Sequence, residues 1–104
     1  MRTLYIYSIC KKPVNDIKEH FKNEFDFILK DRSVIKYIVK NIDVRLIGKG
    51  SYIAPIDMIT ERVMVDDETY NLFMDIVERA GMTNLRQEAV LSAFVLHYAK
   101  IITG

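Results

Sequence analysis

At 104 residues, half of them hydrophobic and 28% charged, the chain has room for one folding unit with a modest core. Its single cysteine, Cys10, excludes an internal disulfide and any multi-cysteine zinc site. The net charge is only +1, yet residues 1–56 hold eleven Lys/Arg against six Asp/Glu, and residues 57–104 hold four against eight. A basic half therefore precedes an acidic one, and nucleic acid, if bound, is expected to meet the first half.

The start, Met1 to Tyr7, is too short and too polar-flanked for a signal peptide. The most apolar later run, Ala89 to Ile102, is interrupted by His97 and Lys100 and falls short of the about 18 residues of a membrane span. A soluble cytoplasmic protein with no membrane partner is expected.

Leu4 to Ile9 is rich in β-formers and reads as a strand. Cys10-Lys11-Lys12-Pro13 breaks it, because proline lacks the N–H that a ladder needs. Ile17, Phe21, Phe25 and Ile28 then repeat at helical spacing after an Asn15 or Asp16 cap, which predicts an amphipathic helix over 16–29. Lys18 and Lys22 share a different face of it. The β-branched run from Val34 to Val44 suits helix or strand; a helix over 34–41 and a strand over 42–47 are the preferred readings. Gly48-Lys49-Gly50 then reads as a hairpin turn, with a return strand over 51–54 stopped by Pro55.

From Thr60 to Val65 apolar and polar residues alternate, with Val63 and Val65 on one side and Thr60, Arg62 and Met64 on the other. Asp66 is placed to cap a helix whose first turn holds Asp67 and Glu68, where the helix dipole favours acid. Gly81 closes that helix, and Asn84 with Gln87 has capping-box spacing before a last helix over 85–101. The last helix is apolar on most sides and must be covered all round, a demand that a second copy of the chain would meet.

Residues 60–98 resemble the ribbon-helix-helix superfamily of MetJ- and Arc-type repressors. The matching features are the alternating strand, the Asp66 cap, the Gly81-Met82-Thr83 break and a second helix carrying Ala93-Phe94, together about two fifths of the chain. The resemblance implies a homodimer whose two strands pair as a ribbon in the DNA major groove. Thr60, Arg62 and Met64 would then read bases, while Thr83 and Asn84 hold a backbone phosphate. Lys18 and Lys22 would add first-half anchoring.

Catalysis has no nominated residue. Cys10 is followed by Pro13 where a dithiol needs a second cysteine, and His20 and His97 lack a further ligand at metal spacing. The expectation is therefore a non-enzymatic regulator without cofactor or metal. It has an α+β fold with a short antiparallel sheet, flanking helices and a C-terminal strand-helix-helix, in one domain over 1–104. A dimeric DNA-binding transcriptional regulator stands first. The alternative is an inhibitor or adaptor that meets a partner protein through the acidic half or through a sheet face of Tyr5, Tyr7 and Tyr52.

Overall fold

The two strands of the sheet come from opposite ends of the charge divide. In the computed structural model, which describes residues 1–52 and 54–103, β1 (Arg2–Tyr7) runs antiparallel to β2 (Thr60–Val65). The register is Arg2 opposite Val65 through Tyr7 opposite Thr60. Leu4, Ile6, Val63 and Val65 enter the core, while Tyr5, Arg62 and Met64 stay on the outer face. The alternation read over Thr60–Val65 thus holds. The partner of this strand is β1 of the same chain, so one of its two edges is already occupied.

Helix α1 (Lys11–Phe25) begins at once after a short 3-10 turn at Ser8–Cys10. The strand is indeed over before Cys10-Lys11-Lys12-Pro13, ending at Tyr7 and not at Ile9, but Lys11 to Pro13 already belong to the helix expected only from residue 16. Pro13 falls in the first turn, where its missing N–H would have had no intrahelical acceptor anyway. The helix also ends earlier than its apolar spacing suggests, because Asp26 takes a left-handed conformation (φ 58°) and its N–H bonds back to the Lys22 carbonyl. Val14, Ile17 and Phe21 are buried as a stripe should be, but Phe25 (57% exposed) and Ile28 (86%) are not.

Helix α2 (Asp31–Asn41) buries Val34, Ile35, Ile38 and Val39, so the β-branched run is helical here. The strand expected over 42–47 is absent. Asp43 accepts bonds from the Arg45 N–H (3.1 Å), Nε (3.0 Å) and Nη2 (2.9 Å), a bracket that folds the backbone into a 3-10 turn at Val44–Leu46. A second such turn at Lys49–Ser51 replaces the hairpin and takes in the first residue of the return strand. Tyr52 follows without regular structure, and Ile53 of that expected strand lies outside the described residues.

Asp66 caps α3 (Asp67–Arg79), its carboxylate accepting the Thr69 N–H at 2.7 Å. Gly81 (φ 71°) turns the chain out of that helix, and the Met82 N–H reaches back to the Val77 carbonyl at 2.9 Å, satisfying an end group of the helix. Helix α4 (Gln87–Thr103) starts two residues later than expected. Gln87 makes no capping bond to Asn84; its Nε2 lies 3.4 Å from the Met74 Sδ. Every residue from Ala89 to Val95 is buried, with α1, α2 and β1 packed around the helix. Over Ala89 to Val95 the cover expected from a second copy is supplied within one chain, while Ile101 near the end of the helix stays exposed.

The two charged halves are tied across the fold. Lys11 meets Glu61 at 3.0 Å, Lys36 meets Asp66 at 3.1 Å, and Lys40 meets Glu68 at 3.0 Å. Each pair joins a first-half lysine to a second-half acid, so the opposite surpluses are partly spent on each other.

Candidate functional site

The two edges of this small sheet are treated differently. On the β1 side, α4 lies alongside the strand and the Ser92 hydroxyl accepts the Tyr7 N–H at 2.8 Å, a buried bond. At the far end of β1 the Arg2 guanidinium sits 4.0 Å above the centre of the Tyr70 ring on α3. That edge is engaged at its two ends by the C-terminal helices, while among the described residues the outward backbone groups of Thr3 and Tyr5 between them have no bond outside the ladder. The packing there also buries Tyr7, whose phenol is pushed up from its ordinary pKa by desolvation, with the Glu88 carboxylate adding and Arg86 opposing.

On the β2 side α2 packs against the strand, but among the described residues no side chain bonds its outward backbone groups. The Ile59 carbonyl accepts the Ser8 N–H at 2.8 Å, one step beyond the ladder. Backbone groups in an antiparallel pair alternate between facing the partner and facing away. Ile59, Glu61, Val63 and Val65 therefore turn toward β1, and Thr60, Arg62 and Met64 present their N–H and C=O groups outward. Among the described residues none of these outward groups has a hydrogen-bond partner outside the β1–β2 ladder.

An open trough of about 440 Å³ runs beside this edge. It is lined by the consecutive residues Arg62, Val63 and Met64 and by no residue of β1, which places it on the side that β1 leaves free. The opposite wall comes from α1 (Lys18), the α1–α2 linker (Leu29, Lys30) and the start of α2 (Asp31, Arg32). Asp31 is the one acid there and is engaged by Lys18. Among the described residues Lys30, Arg32 and Arg62 have no carboxylate within ion-pair distance. A smaller cavity of about 230 Å³ continues beneath the sheet, where Lys11 and Glu61 pair.

Of the residues expected to contact DNA, Thr60, Arg62 and Met64 do stand together on the outer face of β2, and Met64 Sδ lies 3.1 Å from the Thr3 hydroxyl. Lys18 joins Arg62 at the trough, and Lys22 is exposed one turn further along α1. Thr83 and Asn84 are exposed in the α3–α4 turn, and Asn84 lines a separate groove with Arg45, Lys49 and Tyr52. The expected tyrosine face is not assembled: Tyr5 is exposed on the sheet, Tyr7 is buried at its end, and Tyr52 is off the sheet. Sequence reasoning missed Leu29 and Lys30 as walls of a cleft, and missed Phe25, Phe27 (58% exposed) and Ile28 as surface. The detectable signal was Asp26 interrupting an apolar run, a residue that tolerates the left-handed turn.

Elsewhere the chemistry is sparse. Cys10 is fully buried, and burial pushes its thiol up against a weaker opposing contact from Ser92. Among the described residues no three His, Cys, Asp or Glu side chains converge to hold a metal ion, and no helix is long and apolar enough to cross a membrane. No family model, no curated protein and no solved structure matches this chain.

Proposed function

We propose that this chain is a small non-enzymatic regulatory protein that accepts an extended segment of a partner protein along the outer edge of β2. The single observation that carries the reading is the contrast between the two edges. Exposed strand edges are usually blunted by short length, charge, bulges or a covering element. Here α4 lies along β1 and takes up its Tyr7 N–H, while β2 offers three outward pairs of backbone groups beside an open trough. An added strand takes its affinity from main-chain hydrogen bonds and its specificity from flanking side chains. The exposed Phe25, Phe27 and Ile28 on and beside the wall-forming linker add the aromatic and aliphatic surface that such contacts favour.

The test is selection of short peptides from a random library on the purified chain, followed by amide exchange of each complex. Binders should slow exchange at Arg62 and Met64. Binders that protect no β2 amide would end this reading.

A second reading, a homodimeric DNA-binding regulator of the ribbon-helix-helix kind, draws on two observations. The open edge has room for β2 of a second copy. Three acids around the ribbon (Glu61, Asp66 and Glu68) are each paired with a lysine, which lessens their repulsion of phosphate. Arg62 would then be the base reader, since its fork can bond guanine twice. This reading requires a dimer in sedimentation and an affinity for duplex DNA that falls steeply with salt. A monomer indifferent to duplex DNA at low salt removes it.

A further inference from the structure

We infer that the segment received by β2 is an acidic one, alternating carboxylate and apolar side chains. This inference rests on the reading of the β2 edge as a strand acceptor and adds the chemistry of the guest. The trough is lined by four cations, Lys18, Lys30, Arg32 and Arg62, and by a single acid, Asp31. Asp31 and Lys18 neutralise each other, so three positive side chains remain without a carboxylate. They come from both walls: Arg62 from the strand, Lys30 and Arg32 from the linker and the start of α2.

A guest strand lying between these walls turns successive side chains to opposite faces, with about 7 Å between neighbours on one face. Apolar side chains of such a guest lie against the half-buried Leu29, and its carboxylates reach the guanidiniums and the ammonium. Arginine suits this role because its planar fork bonds a carboxylate through two N–H groups. A basic guest meets like charge from both walls. A neutral one leaves three cations partly desolvated without compensation, a cost that disfavours it.

The experiment titrates the 104-residue chain with fluorescent peptides of about eight residues, enough to span the six-residue strand. One peptide alternates Glu and Val, one Thr and Val, one Lys and Val. A fourth repeats the Glu/Val sequence with N-methyl groups on alternate residues, so that one edge cannot donate. The acidic peptide is expected to bind about tenfold tighter than the neutral one, and the basic peptide not at all. N-methylation should weaken binding by about tenfold or more. The triple variant Lys30→Gln, Arg32→Gln, Arg62→Gln, with all three sites exposed, should erase the acidic preference while keeping the N-methyl sensitivity.

Equal binding of neutral and acidic peptides, with N-methyl sensitivity retained, would overturn the acidic guest and leave the open edge standing. Acidic binding indifferent to N-methylation is charge adhesion alone and overturns the inference. No binding by any peptide sinks the acceptor reading with it, and capture of duplex DNA in its place assigns the cations to phosphate.

Discussion

Asp66 joins two tasks in one carboxylate. It accepts the Thr69 N–H that opens α3, and it receives the Lys36 ammonium from α2 at 3.1 Å. The neighbouring Thr69 hydroxyl, the Thr69 N–H and the Lys36 ammonium hold its pKa down from 3.8 to about 2. A carboxyl depressed in the folded state contributes stability that is complete above its unfolded value. That contribution drains away as pH falls from about 3.8 through about 2. Urea midpoints measured between these limits should therefore fall more steeply for the native chain than for Asp66→Asn, which keeps a capping side chain but does not titrate. Parallel slopes would show that Asp66 is not the group responsible. Gly81 offers a second residue-scale test. No atom lies within 4 Å of where its Cβ would be, so Gly81→Ala should cost only the left-handed backbone strain. That is about 1 kcal/mol by denaturant unfolding. Gly50→Ala, at an open position without positive φ, should cost less.

Among the elements, β2 gives the sharpest measurement. In the free protein the amides of Arg62 and Met64 should exchange quickly, and those of Val63 and Val65 slowly, because only the latter face β1. Uniform protection along the strand would mean that the outer edge is already filled. The sequence made this strand visible because one buried and one exposed face leave a clean period of two. It could not show which strand pairs with it, since β1 lies more than fifty residues away and nothing local records the partner. The strand expected over 42–47 shows the opposite failure: Ile42, Val44 and Leu46 alternate properly, yet Asp43 clasps Arg45 and bends the chain. In α1 the apolar spacing continues past the point where Asp26 ends the helix, so Phe25 and Ile28 fit the stripe by spacing yet lie at the surface. Calorimetry or urea unfolding should show Ile17→Ala losing about 2–5 kcal/mol, whereas Ile28→Ser should stay within about 0.5 kcal/mol.

For the molecule as a whole, the uneven charge of the two halves was plain in the sequence, but its use was not. Counting residues suggested a basic surface for an outside partner. The fold instead spends Lys11, Lys36 and Lys40 on Glu61, Asp66 and Glu68, and leaves a smaller positive cluster at Lys30, Arg32 and Arg62. Such exposed pairs are each worth little, typically below about 1 kcal/mol, so their role lies in how the halves dock more than in stability. The burial of α4 leads to a whole-molecule expectation. Because Ala89 to Val95 are already buried within one chain, the melting temperature should not rise with protein concentration, as it would if a second subunit completed the core. A clear rise would show that dimerisation completes the fold.

The hydrogen bond from Tyr7 to Ser92 has a consequence for stoichiometry. A two-stranded sheet open on both flanks is a monomer unit for a fibre, since each newcomer exposes another free flank to the next. If β2 receives a guest as proposed, the bond from Tyr7 to Ser92 and the helix beside β1 hinder a second addition on that flank, so growth would stop at a single guest or at one twin in a closed pair.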